Sequence, residues 1–540
     1  MQINIKLITF FYFLLVSTLV VYYVEVYLCG NYFWTFWPAD FWKIPNLYKY
    51  LNFTPILGGE QKGWDGQFYY YISNDLLGLN DTYNHIDSPS YRWQRIGLPI
   101  AAKIVSILMF SDIVLSIHFI LANILIVTFG LYFLMKYYKE IGINPLFALF
   151  WGLSLGVLIT LTNGLPDAAA DALFLIAFIS YLRNKSYMYI LFMSFAILTR
   201  EGYVVAAFFI FCLEVFYLLK NKNLKKDFSY ILKYVILYSI PGVIFLLWQI
   251  YLTIHFNILP SAQANKITDY PFVQIFNTLI RLYNSNDYIA LFGLFIFVSI
   301  ILLTLVLSFI KIKENKKYIP IFFLTVLILS LGEIVMYYYR DFLKAITVFI
   351  AILPLLVSTF NIKVKFLVYI VLLLSLIFSI KQYPEVRSYG FEPTGFKVEK
   401  SNSFKAKKLD SFESQIEIFS STSNQFYKSL FNIDREIFYL KVKNNSNDIW
   451  FSKSNKDGNY ATMLTYHFFD PKDLSKPIGG DYRSKLSKDI YPGEESMEKM
   501  IVYYPKKSGE YILRVTLLQH PVAFFYNVGG AYKDYEIEVK

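Results

Sequence analysis

Residues 5–28 read IKLITFFYFLLVSTLVVYYVEVYL, and the identity of this run governs how the remaining chain is read. A secretory leader has an apolar core of about 7–15 residues that ends at a small-residue cleavage site. This run is longer and has no such site, and VYLC before Gly30 is a poor lipoprotein box. A membrane-spanning helix needs about 20 largely apolar residues. Residues 5–28 are therefore expected to remain as an uncleaved first membrane helix.

Composition agrees. Of 540 residues, 56% are hydrophobic, 19% aromatic and 17% charged, against about 45–50% apolar and about 25% charged in a soluble globular chain. The net charge of +11 does not signal nucleic acid, because the lysines fall in short bursts between apolar runs, as in KNKNLKK and KIKENKK. Cys29 and Cys212 are the only cysteines, too few for a disulfide framework or a cysteine metal site. No GxxxxGK[ST] loop is present, which argues against nucleotide hydrolysis.

Apolar runs that suit a span occur at 5–28, 113–135, 145–162, 166–182, 187–200, 202–219, 230–254, 288–310, 318–338, 342–359 and 364–380, about eleven crossings. With the N-terminus inside, the inner loops collect Lys136 and Lys139, Arg183 and Lys185, Lys220 to Lys226, Lys311 to Lys317, and Lys363 and Lys365. Positive residues favour the cytoplasmic side, so the N-terminus is expected there. Residues 29–112, the first outer loop, and everything after 380 then lie outside. In that loop YFWTFWPADFW reads as an interfacial aromatic belt or amphipathic segment, and LPIAAKIVSILMF as a short surface helix.

From about residue 384 the pattern changes to polar alternation. EIFYLKVKNN, ATMLTYHFF, SMEKMIVYY, GEYILRVTLL and YEIEVK are strand-like, separated by turn signals such as KDGN and YPGEE. The expected fold is thus a multi-span α-helical membrane domain over 1–383, followed by a C-terminal all-β, immunoglobulin-like sandwich over 431–540. Residues 384–430 are a linker or the start of that sandwich. The whole would sit as a multi-pass protein in the cell (inner) membrane, with the sandwich extracytoplasmic.

The candidate chemistry lies at the outer surface. In KGWDGQFYYYISND (62–75), Asp65 is an isolated acid in a loop beside the bilayer, flanked by Gly66, Gln67 and three tyrosines. The tyrosines suit amphipathic walls and anchors. A charge in mid-bilayer costs roughly 2.5–3.5 kcal/mol on insertion scales, so acids within spans need a reason. Asp167 and Asp171 are four apart, on one helical face, just after Pro166. The helix dipole accounts for Asp167; Asp171, a turn deeper, stands open between a structural and a functional role. LTREG supplies Arg200 and Glu201, an interfacial salt bridge or a binding pair. YYYRDFLK supplies Arg340 and Lys344, either snorkelling bases or anion ligands. His118 and His255 lack metal-ligand spacing and are expected to be structural.

WDGQFYYYISNDLLG followed by SPSYRWQRIGLPIAAKI resembles the first outer loop of bacterial membrane proteins related to GT-C glycosyltransferases, LTREG a turn of the same superfamily, and YYYRDFLKAITVFIAILP its later arginine-bearing helix. The resemblance covers residues 1–380. It implies a multi-span enzyme that moves a sugar from a polyprenyl-phosphate donor to a glycan, lipid or protein acceptor, with inversion and with Asp65 as general base. Gln67, Tyr69 and Arg92 would contact substrate, Asp167 and Asp171 would orient the acceptor or a basic partner, and Arg200 with Arg340 or Lys344 would hold the lipid phosphate. Membrane lipids are implied as partners, and nucleic acid is not. Many such enzymes carry two adjacent acids where this chain has Asp65 and Gly66, so a divalent cation stands open as a cofactor, with Glu60 or Asp75 as a substitute second acid. The tail over 435–540 resembles a sandwich domain of prokaryotic polysaccharide-biosynthesis proteins, and its VAFFYNVGG offers either a sugar-stacking surface or ordinary core and edge. Two other functions compete: a transporter or flippase for lipid-linked glycans, and a non-catalytic assembly scaffold.

Overall fold

The computed structural model describes residues 4–28, 31–46, 48, 62–221, 228–263, 267–388, 405–421 and 435–539. They divide into two units: residues 1–18, 44–52 and 64–384, and residues 19–43, 53–63 and 385–540.

The first unit is helical. Helix α1 (Ile5–Tyr27), whose residues from Leu19 on belong to the second unit, opens the chain, and α2 (Gly66–Ile72), α3 (Pro89–Trp93) and α4 (Gly97–Leu108) fold the first long loop. Then come α5 (Ser116–Glu140), α6 (Ala148–Gly152), α7 (Leu155–Asn163), α8 (Asp167–Leu182), α9 (Ser186–Thr199), α10 (Val204–Asn221) and α11 (Phe228–Phe256). The set closes with α12 (Val273–Asn284), α13 (Tyr288–Glu314), α14 (Ile319–Leu329), α15 (Glu333–Met336), α16 (Tyr339–Ala345), α17 (Thr347–Val357) and α18 (Ile362–Ser388). Six helices among the described residues are long and apolar enough to cross a membrane: α1, α5, α10, α11, α13 and α18. The count is seven if the pair over 145–163, bent by 55°, is one span. This is a membrane protein by the length and composition of its helices.

Every expected apolar run contains helix, but several stop early. In the run 318–338 the long helix stops at Leu329, because the backbone beyond it bonds sideways: Asp269 N–H donates to the Ser330 carbonyl and Gly332 N–H to the Ile267 carbonyl. Glu333, which falls within that run, is exposed at the start of the four-residue α15. Helix α7 ends where Gly164 takes a left-handed φ of 62°, a conformation that suits glycine after a helix. Pro166 and Asp167 then restart the chain as α8, so the turn that presents Asp167 is written in its own sequence. Close packing fixes the helices around it. A Cβ on Gly130 of α5 would lie 2.6 Å from that of Ala172 on α8, and one on Gly156 of α7 would lie 2.8 Å from the Lys344 Cα on α16.

The second unit holds two antiparallel sheets. β1 (Ser414–Ser421), β2 (Arg435–Asn444) and β5 (Glu495–Tyr503) form one in the order β1-β2-β5. β3 (Ala461–Asp470), β4 (Asp473–Lys485), β6 (Gly509–His520), β7 (Ala523–Phe524) and β8 (Tyr532–Val539) form the other, with β4 at an edge and β6 flanked by β3, β7 and β8. Alternate residues from both sheets make one core, among them Leu440 and Val442 of β2, Leu464, Tyr466 and Phe468 of β3, and Leu513 and Val515 of β6. β1 belongs to the first sheet, so strand structure is already present at 414–421, inside the segment expected as linker or sandwich start.

The aromatic run 32–42 belongs to this unit and corrects the expected membrane belt. Phe33, Trp34, Phe36 and Trp37 are buried, and the Trp34 ring lies 4.1 Å from that of Tyr439 on β2. Large rings remove the most apolar surface from water when they are packed inside protein, and that outweighs a place at an interface.

Candidate active site

The site gathers in the first unit from four stretches. Asp65 stands immediately before α2 with helical φ and ψ and does not cap it, which leaves its carboxylate free to point outward. Its side chain is 48% exposed. It is not the isolated acid the sequence suggests: Arg92 at the end of α3 grips both its oxygens, Nη1 to Oδ2 at 2.6 Å and Nη2 to Oδ1 at 2.9 Å. The same guanidinium holds Asp87 at 2.7 and 2.8 Å and lies over the Phe68 ring. The surrounding protein alone would raise the Asp65 carboxyl, but Arg92, with Lys344 and Arg95 further away, holds it below the usual carboxylate range. Asp65 is therefore ionised at neutral pH and remains reachable from solvent.

Arg95, three residues after Arg92 in the turn that follows α3, makes a second fork, to Glu201 at 2.6 and 2.7 Å. It also donates to the Tyr69 hydroxyl at 3.2 Å and lies over the Tyr91 ring. This pair ties the first loop to the turn between α9 and α10. Arg200 in that turn reaches Asp167 at 3.3 Å. Lys344 of α16 bonds Asp341 at 3.0 Å and is close enough to interact with both Asp167 and Asp65. Among the described residues Arg340 is the least committed cation of the site: its nearest acid oxygen, on Asp341, is 3.9 Å away, and its guanidinium lies over the rings of Trp64 and Tyr338 at 4.4 and 4.7 Å. Trp64 precedes Asp65, so Arg340 flanks the acid.

Asp65, Arg92, Asp167, Arg200, Glu201 and Lys344 are thus joined through ion pairs and nearby charges, with Arg340 beside them. Asp171 lies deeper: it is buried and accepts hydrogen bonds from the Tyr203 hydroxyl, at 2.5 Å, and the Thr347 hydroxyl. It braces α8 against α17 and the turn before α10. Gln67 is fully buried and its amide donates to the Trp64 carbonyl at 3.0 Å, within the loop itself. Tyr69, Tyr70 and Tyr71 are buried too, so they are core rather than the expected surface walls; the Tyr70 hydroxyl donates to the Val114 carbonyl at 3.1 Å.

Sequence reasoning passed over Arg95, Asp87 and Asp341. The i, i+3 spacing of the arginines in YRWQR puts Arg92 and Arg95 on one helical face and could have raised the first. His118 and His255 are structural: His118 Nδ1 accepts from Leu115 N–H at 3.1 Å, and His255 Nε2 lies 2.8 Å from the Gly78 carbonyl.

The described residues do not form a site that fits a divalent cation. Both Asp65 oxygens face the Arg92 guanidinium, and among the described residues no three His, Cys, Asp or Glu side chains converge to hold a metal ion. Asp75 is turned to its own loop, accepting from Leu79 and Asn80 N–H at 2.9 and 3.1 Å, and Glu60 lies outside the described residues.

An apolar cavity of about 690 Å³ lies between α12 and α13, lined by Phe272, Ile275, Phe276 and Leu279 on one side and Leu291 and Phe295 on the other. Its α13 wall packs on the helix that carries Arg340 and Lys344: a Cβ on Gly293 would sit 3.4 Å from the Tyr339 Cβ. Comparison with protein-family models, with curated proteins and with solved structures finds no match to this chain.

Proposed function

We propose that the chain is a membrane glycosyltransferase of the GT-C kind, which moves a sugar from a polyprenyl phosphate to an extracytoplasmic glycan, lipid or protein. In this reading all eleven helical stretches are crossings, the N-terminus is cytoplasmic, and the second unit is an immunoglobulin-like domain outside. The observation that carries the reading is Asp65, kept ionised by Arg92, half-open to solvent and flanked by Arg340. The acceptor hydroxyl oxygen attacks the anomeric carbon while the bond from that carbon to the phosphate oxygen breaks. Asp65 takes the hydroxyl proton, which needs a carboxylate within about 3 Å. Negative charge grows on the leaving phosphate, and Arg340, with Arg200 and Lys344, offsets it. One displacement inverts the anomeric centre. The cavity beside α13 has the largely apolar lining an isoprenoid tail requires.

Lipid-linked glycan transport is the second reading, favoured by the 55° break at 145–163, since broken helices are common in transporters. The test is sugar transfer from labelled polyprenyl-phosphate donors by reconstituted wild-type and Asp65→Asn protein. Loss of a general base lowers the rate by roughly 10²–10⁴-fold, with expression and donor binding retained. Undiminished transfer by the variant removes Asp65 from the mechanism. Movement of donor across the bilayer without transfer selects transport.

A further inference from the structure

The five-stranded sheet has a second face, turned away from the sandwich core, and its residues are not the usual scattered polar cover. Strand register sets two adjacent rows across it. His467 of β3 faces Arg514 of β6, which faces Asp534 of β8. Beside them Thr465 faces Thr516, which faces Tyr532. Arg514 forks onto Asp534 at 2.7 and 2.8 Å and lies under Tyr532 at 4.3 Å and Tyr526 at 5.5 Å. β7 and the turn after it fold back so that Phe524 and Tyr526 stand against the His467 ring at 4.7 and 6.0 Å.

One feature separates this patch from a packed rim. Tyr532 is 48% exposed and Tyr526 partly so, which leaves ring surface open to solvent. His467, 6% exposed, lies buried against the Phe524 and Tyr526 rings and supports them from within. The charges identify the ligand. Arg514 is matched by Asp534, and at the patch margin Arg483 is matched by Asp481 at 2.9 Å. An anion would need cations left unmatched. Matched acid and base pairs instead present acceptors and donors side by side, as the vicinal hydroxyls of a neutral sugar require, while the rings meet its C–H faces.

We propose that this face is a binding site for a neutral saccharide, with Tyr526 and Tyr532 as stacking rings and Asp534 and Arg514 as hydroxyl partners. The site does not depend on the transfer reading, because all its residues lie in the second unit. The test is titration of the full-length protein in detergent with neutral oligosaccharides of two to six hexose or N-acetylhexosamine units, followed by calorimetry and by the imidazole resonances of labelled His467. Binding should weaken at least 10-fold in Tyr526→Ala and in Tyr532→Ala, with the protein still folded at the assay temperature; Tyr532 is exposed and its loss should leave thermal unfolding unchanged. It should persist in Asp65→Asn, and the His467 resonances should move on saturation. Absence of binding up to millimolar sugar, binding indifferent to both tyrosines, or binding restricted to anionic saccharides would each overturn the proposal.

Discussion

Replacing Gly97 with alanine tests whether the first loop is docked as closely as the site requires. Alanine is the better helix former by about 1 kcal/mol, so on propensity alone Gly97→Ala at the start of α4 should stabilise. The structure predicts the opposite sign. The new Cβ would lie 2.1 Å from Thr199 Oγ1, 2.9 Å from Thr199 N and 3.0 Å from Thr199 Cα, at the end of α9. Carbon contacts are comfortable at about 3.5–4.0 Å. The Thr199 hydroxyl is held by the Phe195 carbonyl at 2.7 Å, and Thr199 is fully buried. Even if that hydroxyl turns away, the backbone has to move by about half an ångström. Overpacking of this kind costs about 1–3 kcal/mol, and the displaced segment carries Arg95, whose bonds to Glu201 are 2.6 and 2.7 Å. Thermal unfolding in detergent, followed by tryptophan fluorescence, should show Gly97→Ala less stable than wild type. Combining it with Thr199→Ala should recover part of the loss, a coupling of about 0.5–3 kcal/mol. A Gly97→Ala protein as stable as wild type, or more so, would refute the close docking of α4 on α9 and with it the geometry of the Arg95 fork.

Because Arg92 holds Asp65 below the ordinary carboxylate range, transfer should stay level as pH falls through that range and decline only below it. Arg92→Met removes the dominant cation and should move this acid limb to higher pH; an unmoved limb would mean Asp65 is not the titrating group. Arg340→Ala should raise the donor KM by roughly 10- to 100-fold, the value of a charged hydrogen bond of about 1.5–3 kcal/mol, with partial rescue by lysine; an unchanged KM excludes Arg340 from phosphate binding. In the second unit Glu498 is buried, and burial pushes its carboxyl from 4.5 up to about 7 despite hydrogen bonds from Ser487 and Ser496. The folded state then binds this proton more tightly than the unfolded state. Its contribution, at most about 3 kcal/mol, is fully present below pH 4.5 and is lost as pH rises to 7. Hydrogen exchange of the β5 amides should show protection declining over that window in wild type and levelled in Glu498→Gln; identical profiles would refute the assignment.

The sequence carried the helix positions better than the helix lengths. An apolar run marks where a helix forms, but the stop after Leu329 depends on backbone bonds to Ile267, Asp269 and Phe272, some sixty residues earlier in the chain. Asp65 was legible as a candidate because an acid stands out in aromatic surroundings; its partner was not, since Arg92 meets it only once α2 and α3 have folded together. The aromatic run 32–42 misled because rings at a bilayer surface and rings in a core have the same composition. Helix α12 was passed over although Phe272, Ile275, Phe276 and Leu279 repeat at helical spacing, the signal that also builds the cavity wall.

The edge strand β4 bears on how this protein avoids its own copies. Its outer backbone is a row of peptide groups available to any passing strand, the usual beginning of edge-to-edge aggregation. Within it, Pro477 has no N–H to donate, Gly480 and Asp481 take left-handed φ values of 110° and 68°, and the pairing with β3 slips at three places. Lys472, Lys476 and Lys485 add charge along or beside the strand. A ribbon so interrupted offers no straight run for a second copy to zip onto, so Pro477→Val with Lys476→Ile should turn a dispersed protein into one that clumps.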